Sequence, residues 1–158
     1  MRKVGLFALA AAWVGVSLEG SLAQNGDSAK VIASVQGDTP GVHVDILSLK
    51  RTEGGMVTLR LAFVNESGAP IKTQSFPGSD NPLTKSITLI DYGSKRKYSI
   101  ITFSDGSCLC NTNLGYNNDF DPGSKPAWAK FPAPPVSVKK IAVLFPNGEP
   151  IDAVPITQ

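Results

Sequence analysis

Between Met56 and Asn65 the chain has a period of two: Val57, Leu59, Leu61 and Phe63 are large and apolar, and Thr58 and Arg60 between them are polar. Successive side chains of a strand point to opposite faces, so this pattern commits the segment to an extended conformation with one face on a core. A helix would need its apolar residues three and four apart. Asn65-Glu66-Ser67-Gly68 then turns the chain. The same period of two runs through Val42, Val44 and Ile46, set against His43, Asp45 and Leu47.

Once that segment is fixed as a strand, it needs partners, and the rest of the chain supplies them. Val31–Val35 reads as a weak first strand. Ile87–Asp91 and Lys97–Phe103 form a hairpin about the turn Tyr92-Gly93-Ser94-Lys95. Pro126–Phe131 and Val136–Phe145 are strands joined by the stiff connector Pro132-Ala133-Pro134-Pro135. Ile151–Ile156 is broken by Pro155, which suits an edge strand. Ala69–Leu83 is a loop rich in Pro, Gly and Ser, with Phe76 folding back onto the core. Beyond the first 23 residues no amphipathic helix of about ten residues or more can be drawn. The expected fold is therefore all-β: about seven or eight short strands in an immunoglobulin-like two-sheet β-sandwich, preceded by a cleavable signal-peptide helix. An open barrel satisfies the same alternation.

The start of the chain sets the compartment. Met1-Arg2-Lys3 is basic, and the uncharged stretch from Val4 to Val16 is too short to span a bilayer, which needs about 20 residues. Ser21-Leu22-Ala23 then places small residues where a signal peptidase reads them, so residues 1–23 are expected to be a signal peptide cut after Ala23. No Cys follows the cut, so no lipid anchor is expected, and no membrane anchor remains after cleavage. Residues 24–41 form a polar lead-in that contains the weak first strand, and 42–158 form the sandwich. Losing Arg2, Lys3 and Glu19 takes the 15 cations and 13 anions of the whole chain to 13 and 12. That balance gives no bulk basic character for nucleic acid. Lys95-Arg96-Lys97 and Lys139-Lys140 read as a solvated hairpin tip and a strand end.

Few residues carry recognisable chemistry. Cys108 and Cys110 are the only cysteines, and export would place them in an oxidising compartment. On a regular strand their Cα atoms would be about 6.5 Å apart, near the limit for a disulfide, so a local bond requires a bent backbone. A soft-metal site for Cu(I) and a pair of inert core thiols are the competing readings. His43, the only histidine, alternates with Val42 and Val44 and so belongs on the solvent face or rim, without the partners of a zinc site. Asn117, Asp119 and Asp121 alternate ahead of Gly123, but Pro122 stands where a calcium loop needs Gly and Trp128 where it needs Glu, so a polar turn is expected. Asn65-Glu66-Ser67 matches a glycosylation acceptor, although the turn alone explains it. Trp128, Phe131 and Phe145 are either an aromatic platform for sugar or peptide or, as expected of strand aromatics, core. No catalytic residue, metal site or cofactor is assigned.

Several phrases occur together in the second half. Ile90-Asp91 is followed by Lys97-Tyr98, Asp105-Gly106-Ser107-Cys108-Leu109-Cys110 and Asp121-Pro122-Gly123. Ala129-Lys130-Phe131-Pro132-Ala133-Pro134-Pro135, Val138-Lys139-Lys140-Ile141 and Asp152-Ala153-Val154-Pro155-Ile156 come next. The chain from Val42 onward resembles a family of exported bacterial immunoglobulin-like domains of unknown function. Members occur alone, as lipoproteins, or ahead of a peptidoglycan-binding domain similar to the C-terminal part of outer-membrane protein A. Some carry the transferred name telomeric repeat-binding factor, which nothing in these residues supports. The resemblance implies a β-sandwich like that of small secreted immunogenic proteins of mycobacteria, and it brings no catalytic residues. Only Thr157-Gln158 follow Ile156, so the cell-wall-binding neighbour is not expected here. The expected function is that of an exported, non-enzymatic binding or interaction module, periplasmic or secreted, for an unknown envelope or extracellular component. A Cys108/Cys110 thiol site handling Cu(I) or a redox equivalent is the alternative.

Overall fold

The structure, a computed structural model, describes residues 30–76, 87–111, 118–146 and 149–158. The segment read as a signal peptide, the cut after Ala23 and Asn117 lie outside them. The described residues are all-β. In chain order the strands are β1 (Ala33–Gln36), β2 (Val42–Thr52), β3 (Met56–Asn65), β4 (Ile71–Lys72), β5 (Thr88–Asp91), β6 (Arg96–Ser99), β7 (Cys110–Asn111), β8 (Asp119–Phe120), β9 (Gly123–Pro132), β10 (Lys140–Leu144) and β11 (Ile151–Pro155). One 3-10 turn, Thr73–Ser75, interrupts them. Five strands make an antiparallel sheet in the order β1-β2-β3-β9-β7, four make a second in the order β11-β10-β5-β6, and β4 pairs with β8 alone.

The alternating segment is the centre of the larger sheet, with β3 paired along its whole length to β2 on one side and β9 on the other. Its inward residues Val57, Leu59, Leu61 and Phe63 are at most 1% exposed, each burial contributing roughly 1.5–3 kcal/mol. They share one core with Val42, Val44, Ile46 and Leu49 of β2, Ala127, Ala129 and Phe131 of β9, and Leu89, Ile141, Val143 and Val154 of the second sheet. Phe76 does fold back: its ring stands edge-on between Phe63 and Phe120, with centroids 5.1 and 4.9 Å away. The 3-10 turn that carries Phe76 sits so close to Gly37 that a Cβ there would strike the Ser75 carbonyl oxygen, so only glycine fits.

A β-bulge in β2 decides which side chains face outward. Ile46 pairs with Leu61 and Ser48 with Arg60, which leaves Leu47 as an extra residue. Without it, the Val42-Val44-Ile46 series would continue inward through Ser48 and Lys50. With it, Leu49 takes the core position, and Ser48, Lys50 and Thr52 move to the outer face.

Both edges of the second sheet are stitched to the first. After β6 the chain crosses over, and the Ile101 N–H donates to the Lys130 carbonyl of β9 at 2.9 Å. Leu109 N–H in turn donates to Ile101 O at 2.7 Å, and Lys130 N–H to Leu109 O at 3.0 Å, closing a three-residue ring of backbone bonds. At the other edge Thr157 exchanges N–H and C=O bonds of 2.9 Å with Leu49 and Arg51 of β2. Each crossing occupies a stretch of sheet rim that would otherwise be unpaired.

The sequence reading differs from the structure at several limits: Pro126–Phe131 extends to Gly123–Pro132, the loop from Ala69 contains the short β4, and two strands are shortened for physical reasons. Lys97–Phe103 pairs with β5 only as far as Ser99, because the next residues switch sheets. Val136–Phe145 is a strand only from Lys140. Its first residues form a turn, with Val136 67% exposed, that the Arg51 guanidinium holds through the carbonyls of Pro134 (2.8 Å), Pro135 (3.0 Å) and Val138 (3.0 Å). Pro134 and Pro135 have no N–H to offer a ladder, and their carbonyls accept from the Arg51 side chain, that of Pro135 also from the Val138 N–H. The weak first strand is present as β1, paired with β2 from Ala33–Ile46 to Gln36–His43. β11 is an edge strand, as Pro155 requires.

Candidate binding face

Two rows of side chains cross the outer face of the larger sheet. In one, Ser48, Arg60, Trp128 and Asn111 stand side by side on β2, β3, β9 and β7. In the next, Lys50, Thr58 and Lys130 stand side by side on β2, β3 and β9. Lys50 and Lys130 are two strand spacings apart, about 10 Å at the backbone, and Arg60 lies diagonally between them at about 8 Å from each. Among the described residues none of these three cations has an ion-pair partner. A hollow of about 320 Å³ is lined by Ser48, Lys50, Thr52, Thr58 and Arg60. Thr52 also borders a larger one of about 740 Å³, with Arg51, Glu53, Met56, Lys130 and Gln158. Glu53, in the β2–β3 turn, is the one carboxylate side chain among the described residues that line either hollow. Asp45 stands further along the face, engaged by Ser34 Oγ at 2.5 Å and by His43 Nε2 at 3.5 Å.

Trp128 belongs to this face and not to the core expected for it. Phe131 and Phe145 are buried at 0% and 1%, but Trp128 is out of phase with Ala127, Ala129 and Phe131, whose side chains point inward. The signal was in the sequence: positions 128 and 131 differ by an odd number and cannot share a face of an unbulged strand. The cationic rows were harder to see, because they depend on the Leu47 bulge and on pairing between residues up to about 80 positions apart.

The other sequence candidates are distributed around the molecule. Cys108 and Cys110 form a close pair with Cα atoms 5.3 Å apart, inside the range a disulfide spans. The backbone bends at Leu109, as such closeness requires, because Cys108 bridges to Thr102 and Cys110 pairs with Ala129 of β9. His43 is on the face away from the core, its side chain largely covered, opposite Val64 and beside Asp45. Asp119 pairs with Lys72 Nζ at 2.7 Å across β8 and β4. Among the described residues no three His, Cys, Asp or Glu side chains converge as a metal site. Asn65 of the glycosylation match is 1% exposed: its Nδ2 donates to Ala69 O and Phe120 O, and its Oδ1 accepts from Ser67 N–H and Oγ. That is a turn lock, with the amide turned away from solvent. Lys95, Arg96 and Lys97 are exposed at the β5–β6 tip, and Lys139 and Lys140 at the start of β10.

A third, smaller cleft of about 230 Å³ lies between the β5–β6 tip and β11 and is lined by Asp91, Tyr92, Lys140, Asp152 and Ala153 among others. Asp152 and Ala153 together face the single residue Ala142, a bulge in which Ala153 adopts φ +59°. Partial burial and the adjoining Asp152 carboxylate raise the Tyr92 phenol above its ordinary pKa. The Ser94 hydroxyl, with burial opposing it, and the N–H groups of Ser94 and Gly93 hold the Asp91 carboxyl below its ordinary value.

Comparison with family models, with curated proteins and with solved structures finds no match to this chain.

Proposed function

We propose that the chain is an exported immunoglobulin-like two-sheet β-sandwich that acts as a non-enzymatic binding module for a component of the bacterial envelope or extracellular space. Its signal peptide is residues 1–23, and Cys108–Cys110 is a local disulfide formed after export. The observation that supports the binding role is the outer face of the five-stranded sheet. There Lys50, Arg60 and Lys130 stand without ion-pair partners among the described residues, with a partly exposed Trp128 beside Arg60 and Lys130 and three hydroxyl side chains among them. Unpaired like charges at this spacing repel one another and add nothing to stability, and a ligand of opposite charge removes that cost. The second sheet supports the sandwich reading by contributing to the same core.

The test has two parts. N-terminal sequencing of protein recovered from periplasm or medium gives Gln24 as the first residue, and an uncut chain retained in the cytoplasm overturns the export reading. Affinity capture from envelope extract is then compared for the wild type and a Lys50→Ala/Arg60→Ala/Lys130→Ala variant of unchanged thermal stability. Loss of the captured component in the variant supports the face as the binding surface, and equal capture overturns it.

A further inference from the structure

We infer that the ligand of this face is an acidic polysaccharide, a linear chain of sugar rings bearing carboxylates. This inference rests on the reading of the outer sheet face as the binding surface. Three features of the two rows point to such a ligand.

The first is charge geometry. Lys50 and Lys130 flank the face at about 10 Å, with Arg60 between them on the neighbouring row. The spaced cations suit carboxylates on separate residues of an extended polymer, and the planar guanidinium of Arg60 can take one of them through two parallel bonds. The second is the hydroxyl lining. Ser48, Thr52 and Thr58 lie among the cations in the 320 Å³ hollow, and Thr52 and Thr58 are within 3.4 Å of each other through their Oγ1 atoms. Such groups donate and accept equally, as sugar hydroxyls do. The third is the single ring. Trp128, beside Arg60, offers one apolar surface on which the face of a pyranose can rest.

The same observations weigh against the other polyanions. Single-stranded nucleic acid is held by several aromatic rings that stack successive bases, and these rows contain one. An anionic membrane would call for several apolar side chains projecting among the cations, and apart from Trp128 the positions between them, Ser48, Thr52 and Thr58, are polar.

The experiment titrates polygalacturonate into the purified full-length protein by calorimetry, with dextran as the neutral glycan, a mixed-sequence DNA strand, and vesicles containing an anionic phospholipid. Polygalacturonate binds, added salt weakens it, and dextran does not bind. Arg60→Ala lowers the affinity roughly tenfold or more, the worth of one charge-assisted contact. Lys50→Ala and Lys130→Ala each have a smaller effect in the same direction. Trp128→Phe, which keeps an aromatic ring, retains more affinity than Trp128→Ala. If DNA or vesicles bind through Arg60 and polygalacturonate does not, the glycan inference fails while the binding-face reading stands. If no probe binds, or if binding survives the triple alanine variant, both fail.

Discussion

Replacing Asn65 by Ala removes a side chain that ties its own turn, at Ser67 and Ala69, to the backbone of Phe120, 55 residues away. The amide nitrogen donates to Ala69 O at 2.9 Å and to Phe120 O at 3.0 Å, and the amide oxygen accepts from Ser67 N–H at 3.0 Å and Ser67 Oγ at 2.6 Å. The Ser67 groups and Ala69 O lie near the surface and can turn to water, so each of those bonds is worth at most about 1 kcal/mol net. The bond to Phe120 O is buried, and breaking it leaves an acceptor unsatisfied at a cost of about 1–3 kcal/mol. The total loss comes to about 2–4 kcal/mol, a large part of the roughly 5–15 kcal/mol by which a domain is stable. Asn65→Asp sharpens the argument, because it keeps the shape and the acceptor but puts a carboxylate oxygen against two carbonyls. At neutral pH it must cost at least as much as Asn65→Ala, and part of the cost returns in acid, where the protonated side chain can donate one bond. Urea unfolding followed by tryptophan fluorescence measures all three proteins. An Asn65→Ala variant within about 0.5 kcal/mol of wild type, or an Asp variant milder than Ala at neutral pH, would refute the turn-lock account.

Arg51→Met keeps the aliphatic stem but loses the contacts to Pro134, Pro135 and Val138; Pro135 O retains its bond from Val138 N–H. The expected loss in urea unfolding is about 2–3 kcal/mol, with Arg51→Lys intermediate because an ammonium cannot span the same carbonyls. The Asp91 carboxyl titrates below its ordinary 3.8, chiefly through the Ser94 hydroxyl, so its stabilising effect is complete above that pH and is lost as pH falls through the lower folded value. A stability difference between wild type and Asp91→Asn that narrows below pH 3.8 checks this; a difference independent of pH contradicts it. If Cys108 and Cys110 are joined after export, native protein from the periplasm has no titratable thiol. The Cys108→Ser/Cys110→Ser variant then loses only about 1–2 kcal/mol, since the closed loop is very short.

What the sequence revealed was whatever a strand states about itself. β3 and the Val42-Val44-Ile46 series of β2 are written in local alternation, whereas the pairing of β3 with β2 and β9 is known only from the structure. Phe76 was legible because a lone large aromatic in a polar loop has little alternative to the core. The lost information was non-local. That the chain leaves the second sheet after Ser99 depends on a backbone bond from Ile101 to Lys130, and the turn replacing the start of the tenth strand depends on Arg51, more than eighty residues away. Neither Lys97–Phe103 nor Val136–Phe145 contains a residue that announces the interruption.

The binding face illustrates the same limit more sharply, because a single inserted residue creates it. In the simple alternation that begins at Val42, Lys50 and Ser48 fall on the core side, where an ammonium would be strongly disfavoured. The sequence admits only two resolutions: the strand ends before Ser48, or a bulge reverses its parity. The inward Leu49 favours the bulge, since it places one more apolar side chain in the core while removing Lys50 from it. Once Leu47 absorbs the shift, Lys50 has to come to the same face as Arg60 and Lys130, whose positions are set independently by the alternation of β3 and β9. That Lys50 joins Arg60 and Lys130 on one face is thus a consequence of burying Leu49. The core is satisfied with either sign of charge, or none, at positions 50, 60 and 130, so their common sign is not required by the fold, and it is that surplus of like charge which the proposed acidic ligand would neutralise.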